Sequence, residues 1–581
     1  MQSAGEWRER GFDPAAAEGL RAVLPPDVPP RLAETLAARG VTAESLADYL
    51  EPSLDPLRLD APDGPDALDG IREAVEVILP FVADRRKIVV FGDYDADGVC
   101  ATAILVRTLA KLGADASGFI PRREGEGYGL TAASIARLFT EHPQTALLVT
   151  VDNGVNAVRE VAEIRSRGVK VVVTDHHLPG EELPQADALV DPKVAAPAAL
   201  ADLCGAGVAL LLAARLADEA RRRGCYGGAK LGGPLLVLAG IATVTDVMPL
   251  TGVNRSLVRW ALRHFARHAP EGLRALFLDE GKHTMDRINA RDFGFLLGPR
   301  LNAAGRMANA DDALELVSTD DCESARQLAL KVKGYNALRR GIEERMSAEA
   351  VPQLVAGAPA QVVCDAGLST PWHSGVSGIV ASRLLERANV PVAVVAGLHG
   401  SARAPDGYNV RDALAECGSL LERFGGHAGA AGFTVRETPD GRLDEFRAAF
   451  AAACARQHGA SPSAPSARSF DGWLKGGEIT LAFCEAVARM EPFGEGNAEP
   501  VFALGQVFIR DARPMGDTGR HLSLQFKDAG IPRAVWWNHG ADVEMIRANG
   551  ASRFDVFFKV KVSEHGDLHP ELVVEDLFPS R

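Results

Sequence analysis

The sequence predicts an α/β protein with a parallel, doubly wound core, a second α/β domain and a C-terminal β-barrel. Three observations predict this order. In the first half of the chain, short apolar runs that end at aspartates alternate with helix-like stretches. A second alternation of strand-like and helix-like runs begins near residue 361. A Pro/Ser-rich segment then precedes a series of short, regularly spaced β-like runs.

The totals of the chain favour several soluble domains. Its 581 residues exceed one hydrophobic core, and domains of roughly 100–200 residues give three or four units. With 47% apolar and 24% charged residues, the composition is that of an ordinary globular protein. The net charge of −14 counts against a uniformly basic nucleic-acid binder. A binding groove needs only a local positive stripe, so this class is not excluded.

The cellular location follows from two further features of the sequence. No apolar run reaches the roughly 18 residues of a transmembrane helix, so no membrane partner is expected. The eight cysteines are scattered and form no Cys-x-x-Cys pair, which favours a reducing compartment. We therefore expect a cytoplasmic protein.

The first large domain along the chain is the parallel core, assigned to residues 81–315. Residues 1–80 precede it and are rich in Ala, Leu, Pro and Asp, which predicts short helices that wrap a core. Residues 88–91, 147–151 and 169–174 are β-type runs, and an aspartate ends or closely follows each one. Ligands of parallel sheets bind beyond the carboxyl ends of the strands, so we expect a site there.

The remaining elements follow in order along the chain. Residues 316–355 are highly charged and helical in pattern, which is typical of a solvated connector helix. Residues 356–458 form the second α/β domain. Residues 459–469 contain Pro, Ser, Ala and Gly and are assigned as a linker. The short β-like runs of residues 470–581 predict an OB-type, nucleic-acid-binding barrel.

An acidic loop follows the first strand. Asp93, Asp95 and Asp97 stand at alternate positions before Gly98, as in the first half of a calcium loop. A calcium loop needs a glutamate six residues after its glycine, and Ile104 stands there, so an EF-hand is rejected. A single aspartate would serve as a helix cap, but three crowded carboxylates repel each other unless a cation lies among them.

Further ligand types lie after the neighbouring strands. Asp152 and Asp175 end the next two strand runs, His176 and His177 follow directly, and Asp246 follows another apolar run. Adjacent histidines are also common as surface or core residues, so the pair alone decides little. Several carboxylates with imidazoles suit two divalent ions, with manganese favoured and magnesium second. Such a pair predicts hydrolysis of a phosphoester or phosphoanhydride.

These motifs resemble the DHH phosphoesterase superfamily and, within it, the RecJ family of bacterial single-strand-specific exonucleases. The acidic loop and the Asp-His-His run indicate only the superfamily. The narrower resemblance rests on residues 120–129, 298–306, 372–383, 400–403, 424–432 and 492–497. It implies a DHH core, a DHHA1-like accessory domain and a RecJ-type OB domain, and it extends from about residue 40 to the C-terminus.

The resemblance implies a ligand set for the two ions. Asp95, Asp97, Asp152, His176 and Asp246 are the expected metal ligands, with Asp152 as the bridge between the ions.

It also implies four catalytic neighbours. Asp93 is expected to orient the acidic loop, and Asp175 to orient the histidines. His177 is expected to contact the scissile phosphate or the leaving oxygen. His427 is expected to face the cleft and neutralise charge. For each histidine, a purely structural role is the competing interpretation.

The resemblance further implies a nucleic-acid interface. Arg123, Arg306, Ser401 and Arg403 resemble a pocket for a 5′-terminal phosphate, and guanidinium groups suit that ligand. Tyr128 is expected to stack on a base. Two of these arginines, Arg123 and Arg403, have surface charge as their competing interpretation. The full set of expected contacts is Arg123, Tyr128, Arg300, Asn302, Arg306, His373, Ser401 and Arg403.

The implied function is a single-stranded-DNA-specific 5′-to-3′ exonuclease that releases mononucleotides in DNA recombination and repair. Its expected partners are single-stranded DNA with a 5′ end, a single-strand-binding protein and a helicase. One alternative is another DHH phosphodiesterase, acting on oligoribonucleotides or cyclic dinucleotides. The other is a catalytically inactive DNA-binding scaffold. Phe91 departs from the family pattern, in which many members have histidine or a small residue, and this leaves its effect on the metals open.

Overall fold

A computed structural model describes the chain at residues 7–26, 28–57, 64–224, 232–278, 285, 288–436, 443–458, 468–516, 518–549, 552–563 and 568–580. Within these residues, no helix combines the length and the apolar character that a membrane crossing requires.

The N-terminal segment packs on the C-terminal barrel. It contains β1 (Trp7–Glu9), α1 (Pro14–Val23), α2 (Pro30–Ala37) and α3 (Leu46–Leu50). Leu20 and Leu36 share one buried cluster with Phe483 and Phe502 of the barrel. The short helices predicted here are present, and the core that α1 and α2 cover is that of the barrel.

The first α/β domain is the predicted parallel domain. Its five-stranded sheet has the order β3-β2-β4-β5-β6, and every pair in it is parallel. Helices α4, α5, α8 and α9 cover one face, and α6 and α7 cover the other. Its first elements are α4 (Ile71–Ala83), β2 (Ile88–Phe91), α5 (Ala96–Lys111), β3 (Ala116–Phe119), α6 (Ala132–Glu141), β4 (Leu147–Thr150), α7 (Val158–Ser166), β5 (Lys170–Thr174), β6 (Ala188–Val190), α8 (Gly205–Arg222) and α9 (Gly233–Thr245).

A helical layer follows the sheet and leads to the second domain. Its elements are α10 (Gly252–His268), α11 (Glu271–Phe277), α12 (Ala290–Asp292), a π-helix at Phe293–Leu297, α13 (Gly298–Met307), α14 (Asp311–Ser318) and α15 (Cys322–Ala350). Helix α15 occupies the predicted connector but is not solvated all round. Its Glu343 is buried and pairs with Arg339 at 2.7 Å and with Arg383 at 2.6 Å.

The accessory domain is a second α/β unit with a mixed sheet of order β10-β11-β9-β8-β7. Only β7 and β8 are parallel, and the other pairs are antiparallel. Helix α16 packs on one face, and α17 and α18 pack on the other. The elements are β7 (Gln361–Cys364), α16 (Ser374–Ala388), β8 (Val392–Ala396), β9 (His399–Arg403), α17 (Val410–Glu416), β10 (Leu421–Gly426), β11 (Ala430–Val435) and α18 (Leu443–His458).

The C-terminal domain is a curved six-stranded sheet of order β13-β17-β18-β16-β15-β14. Strands β13 and β14 lie at opposite ends of this order although only Phe508 separates them, so the sheet must curl into a barrel. Residues 459–467 of the predicted linker lie outside the described residues, and residues 468–469 belong to a strand. The elements are β12 (Arg468–Phe470), α19 (Leu481–Ala488), β13 (Phe502–Val507), β14 (Ile509–Met515), β15 (His521–Phe526), β16 (Ala534–Trp536), α20 (Val543–Ala548), β17 (Phe554–Val562) and β18 (Pro570–Pro579).

Arg255 on α10 joins the core to the barrel and to the N-terminal segment. Its buried guanidinium donates to the carbonyl oxygens of Met490 at 2.9 Å, Glu491 at 3.0 Å and Tyr49 at 3.1 Å. It also lies 4.2 Å from the centre of the Tyr49 ring. One cation therefore ties together three segments that are distant in sequence.

Candidate metal centre and nucleic-acid interface

The carboxyl edge of the parallel sheet holds a buried cluster of carboxylates around one imidazole. His176 Nε2 lies 3.0 Å from Asp152 Oδ1, 3.6 Å from Asp246 Oδ2 and 3.7 Å from Asp97 Oδ2. Among the described residues, this buried nitrogen has no hydrogen-bond partner. An unpartnered imidazole nitrogen that faces three carboxylates has the donor chemistry of a divalent metal site.

A second group of oxygens adjoins the first and shares one residue with it. Ligand atoms of Asp93, Asp95 and Asp152 lie within 4.8 Å of one another. Asp152 thus faces both groups, as expected of a bridging ligand. Asp93 Oδ1 is buried without a hydrogen-bond partner in the described part of the chain. The structure therefore places Asp93 among the oxygens that could hold a metal ion, beside the orienting role that the resemblance implies for it.

Backbone amides at two helix N-termini hold the acidic loop. Asp95 caps α5, and its Oδ1 accepts from the amides of Asp97 and Gly98, both at 3.0 Å. The carboxylate of Asp97 accepts from the amides of Gly205 at 2.7 Å and Ala206 at 2.8 Å, which begin α8. The positive ends of two helices therefore point at these anions and lower the cost of gathering them.

Asp152 approaches the start of α8 so closely that only glycine fits opposite it. A Cβ at Gly205 would lie 2.6 Å from the Asp152 Cβ. Asp152 itself has a φ of +61°, in the left-handed region that non-glycine residues seldom occupy. Backbone strain of this kind collects at functional sites, where the surrounding structure enforces it.

Burial and mutual repulsion make it unfavourable for these carboxylates to ionise together without positive charge among them. Burial, reinforced by neighbouring carboxylates, raises the pKa of Asp97 to about 6 and that of Asp246 to about 8. The same two causes raise the pKa values of Asp93 and Asp152 well above their usual range. Divalent cations would relieve this repulsion, so the residues present fit two bound ions.

The two adjacent histidines have opposite properties. Burial, with the nearby charge of His177, lowers the pKa of His176 to about 4, so its ring is neutral and able to bind a metal. Although burial opposes it, the 2.7 Å contact between His177 Nδ1 and Asp175 Oδ1 raises the pKa of His177 to about 9. A proton on both ring nitrogens of His177 is thus favoured by Asp175, and a positive charge there would suit contact with a phosphate. Its ring also lies within metal-binding reach of Asp152 and His176.

A cleft of about 690 Å³ lies between the core and the accessory domain. Tyr128 stands at its edge with a half-exposed ring, and its hydroxyl lies 3.3 Å from the Asp152 carbonyl oxygen and 3.4 Å from His177 Nδ1. The accessory domain lines the same cleft with Arg423 and Phe424. An aromatic ring and cations beside the cluster are suited to a nucleic-acid strand.

The residues predicted to bind a terminal phosphate lie near the start of α16. Arg306 donates to the Gly375 carbonyl oxygen at 2.8 Å. Arg123 lies 4.1 Å from the centre of the Tyr94 ring. Burial, with the charge of Arg123, lowers the pKa of Arg306 to about 10. Within the described residues, Arg306 has no carboxylate partner, so these cations are available to an anion.

Ser401 and Arg403 approach the same helix from β9. The Ser401 hydroxyl lies 2.9 Å from the hydroxyl of Ser377 on α16. The Arg403 guanidinium packs against Gly378, and a Cβ there would lie 2.9 Å from its Nη2. Burial lowers the pKa of Arg403. The pocket is thus shared between the core and the accessory domain.

Three further residues of the expected interface lie at different points of the structure. Arg300 is 8% exposed and donates to the Leu276 carbonyl oxygen, so it is held inside the core rather than presented to nucleic acid. His373 caps α16, and its Nδ1 accepts from the Gly375 amide at 3.1 Å. His427 is exposed between β10 and β11, and no contact among the described residues links it to the cluster.

Two remaining expectations concern Asn302 and Phe91. The Asn302 side chain accepts a hydrogen bond from the Ala96 amide at 2.6 Å. It therefore contacts the acidic loop of Asp93, Asp95 and Asp97, which is called the metal loop from here on. Phe91 is fully buried, and its ring lies 5.3 Å from that of Phe119. The aromatic side chain that departs from the family pattern at this position therefore fills the hydrophobic core.

A buried carboxylate–imidazole cluster at the edge of a parallel sheet, with a second α/β domain across a cleft, defines a metal-dependent phosphoesterase. Family models agree with this class. The N-terminal domain of the DHH family matches residues 87–230, and the DHHA1 domain matches residues 360–456. The RecJ OB domain matches residues 470–576.

Whole-chain comparisons narrow the class. The single-stranded-DNA-specific exonuclease RecJ of Dickeya dadantii (strain 3937) is 35% identical over 96% of this chain and 97% of its own length. RecJ of Thermus thermophilus in complex with Mn²⁺ matches with a TM-score of 0.83 and 32% identity, over 100% of this chain and 80% of that one. Its complex with Mg²⁺ matches with a TM-score of 0.75 and 31% identity, over 99% and 79%. The chain belongs to the RecJ family of exonucleases, which carry a DHH phosphoesterase domain.

These findings confirm the predicted family, the fold class and the type of cofactor, manganese or magnesium. They support the exonuclease interpretation and neither of the two alternatives.

Proposed function

We propose that this chain is a single-stranded-DNA-specific exonuclease that degrades from the 5′ end and releases mononucleotides. The observation that carries this proposal is a group of arginines beside the acidic loop that have no carboxylate partner among the described residues. Arg123 stacks on Tyr94, and Tyr94 is bonded to Asp95 of the metal loop. A terminal phosphate held by Arg123 and Arg306 would therefore lie close to the site of hydrolysis, which favours removal of one nucleotide at a time.

The cluster residues have distinct roles in this proposal. Asp95, Asp97, Asp152, His176 and Asp246, joined by Asp93, would hold two divalent ions. When bound, such ions activate water and stabilise charge on the phosphate that is attacked.

The protein side chains around the ions bind and orient the strand. His177, held through Nδ1 by Asp175, presents Nε2 as a donor to the scissile phosphate. Tyr128 supports the first base at the edge of the cleft. The barrel would hold the strand further along, as OB folds do.

The test uses single-stranded DNA that carries a 3′ label and either a 5′-phosphate or a 5′-hydroxyl, with Mn²⁺. We expect labelled products that shorten from the 5′ end and faster cleavage of the phosphorylated strand. The Arg306→Ala substitution should lower kcat/KM for the phosphorylated strand by roughly ten- to a hundredfold, because each charge-assisted contact contributes about 1.5–3 kcal/mol. The hydroxyl strand should lose much less.

The matched control is Arg340→Ala, which removes an exposed arginine from α15. It should leave both rates unchanged. Release of label from the 3′ end first, or equal loss on both strands in Arg306→Ala, would contradict the proposed polarity.

We also propose the partners and location that such an activity requires. A helicase would supply single strands, and a single-strand-binding protein would keep them open. The chromosomal substrate implies a cytoplasmic location in a bacterium.

A further inference from the structure

Asn302 completes the N-terminus of the helix that carries the metal loop. The first amides of a helix have no partner within it. On α5, the Asp95 carboxylate accepts from the second and third amides, those of Asp97 and Gly98. The first amide, that of buried Ala96, donates to Asn302 Oδ1 at 2.6 Å. The cap of α5 is thus made jointly by the loop and by a residue 206 positions away.

A second contact from the same helix supports the same loop. Gly305 lies three residues after Asn302 and therefore on the same face of α13. A Cβ at Gly305 would overlap the Tyr94 carbonyl oxygen, so α13 presses directly on the loop there. Asn302 and Gly305 together contact the residues on either side of Asp95. Helix α13 is therefore a support for the metal loop.

These contacts bear on the role of Asn302. We propose that Asn302 is a positioning residue that fixes Asp95 and Asp97 for metal binding, and that it does not bind nucleic acid. The inference deepens the proposed function and rests on it. Without the side-chain oxygen, the Ala96 amide is left buried and unpaired, which is unfavourable. The loop can recover that energy only by moving the amide toward water, and Asp95 and Asp97 on either side move with it.

The experiment separates metal binding from DNA binding. For the wild type and Asn302→Ala, Mn²⁺ affinity is measured by calorimetry without DNA, and cleavage is measured against both Mn²⁺ and strand concentration. We expect Asn302→Ala to weaken Mn²⁺ binding by roughly ten- to a hundredfold, as for other residues that orient metal ligands. KM for the strand at saturating Mn²⁺ should stay within about twofold of the wild type, since the strand contacts are intact.

Two variants serve as controls. Asn302→Asp keeps an acceptor for the Ala96 amide and should restore Mn²⁺ binding to within about threefold of the wild type. Asn289→Ala removes a cap of the same type from α12, where Asn289 Oδ1 accepts from the Asp292 amide at 3.3 Å. It should leave Mn²⁺ binding unchanged. If Asn302→Ala does not fold, the same comparison is made with Asn302→Ser, whose shorter side chain cannot reach the amide.

The outcomes that overturn the inference are distinct from those that overturn the proposed function. A raised KM with unchanged Mn²⁺ affinity would make Asn302 a nucleic-acid contact. Unchanged values of both would make it dispensable. A wild type that binds Mn²⁺ but does not cleave single strands would overturn the proposed function, while the calorimetric comparison would still decide the role of Asn302.

Discussion

Replacing Asp152 with asparagine should stabilise the metal-free protein while abolishing its stabilisation by metal. Asp152 belongs to two groups of candidate metal ligands. Within each group, the ligand atoms lie within 4.8 Å of one another. In the absence of cations, its negative charge is repelled by Asp93, Asp95, Asp97 and Asp246. Asparagine has nearly the same shape and removes that charge. The stability of the folded chain should therefore rise at a pH where the carboxylates ionise.

The size of the effect follows from the separation of the charges. Two unit charges no more than 4.8 Å apart repel by at least about 3 kcal/mol at an effective dielectric constant of about 20. For a domain of roughly 200 residues, this corresponds to a rise in Tm of about 6–12 °C. The raised pKa values of Asp97 and Asp246 mean that the folded state holds protons more tightly than the unfolded state. Stability is thus fully present below the unfolded pKa near 4 and is lost as the pH rises through about 6 and 8.

The assay is thermal unfolding in EDTA at pH 4.5 and pH 8, followed by titration with Mn²⁺ at pH 8. The variant should match the wild type at pH 4.5 and melt higher at pH 8. With Mn²⁺ at a hundred times its Kd, the wild type should gain about 2.7 kcal/mol, and the variant much less. Exonuclease activity of the variant should be lost. A variant that melts below the wild type in EDTA at pH 8 would refute the electrostatic argument.

Two further predictions concern stability elsewhere. Val247 follows Asp246 at the end of α9 and has a φ of +57°, which strains a β-branched residue. Val247→Gly should therefore stabilise the protein by about 1 kcal/mol, detected as a rise in Tm. Asn389→Gly, at a φ of +51°, is the control and should gain less, because asparagine tolerates this conformation. Arg255→Leu should cost at least about 3 kcal/mol and speed proteolysis between core and barrel, since several buried carbonyl oxygens lose their donor. The control Arg263→Leu removes an exposed arginine and should change neither the free energy of unfolding nor the rate of proteolysis. Equal proteolysis of both variants would contradict the proposed role of Arg255.

The sheet and the carboxylate–imidazole cluster at its edge were predictable because the sequence carries both directly. Strands buried on both faces are continuous apolar runs, and the side chains of the candidate metal ligands come just after those runs. Parallel strands share one edge, so Asp152 and His176 had to meet near the acidic loop. Asp246 ends a helix instead of a strand, yet its carboxylate was also recognisable. Residue type and position after a buried run were sufficient for this part of the site.

The residues that support the cluster were not predictable in the same way. Gly205 and Ala206 act through backbone amides, so neither side chain carries any sign of the contact with Asp97. Asn302 and Arg300 belong to one polar segment that looks suited to DNA. One contacts the metal loop and the other is held inside the core. The direction of each side chain depends on how α13 packs, which is a tertiary property.

The packing of the N-terminal helices on the C-terminal barrel was also not predictable from the sequence. The amphipathic pattern of α1 and α2 indicates that one face is buried, but it does not identify the covering surface. That surface is the barrel, more than 400 residues later, and strand β1 pairs in parallel with β12 beside it. Because the N-terminal helices complete the core of the barrel, the C-terminal domain is discontinuous in sequence. Arg255 then anchors both parts to α10, so the barrel is attached to the catalytic core through folded contacts as well as through the chain from the accessory domain.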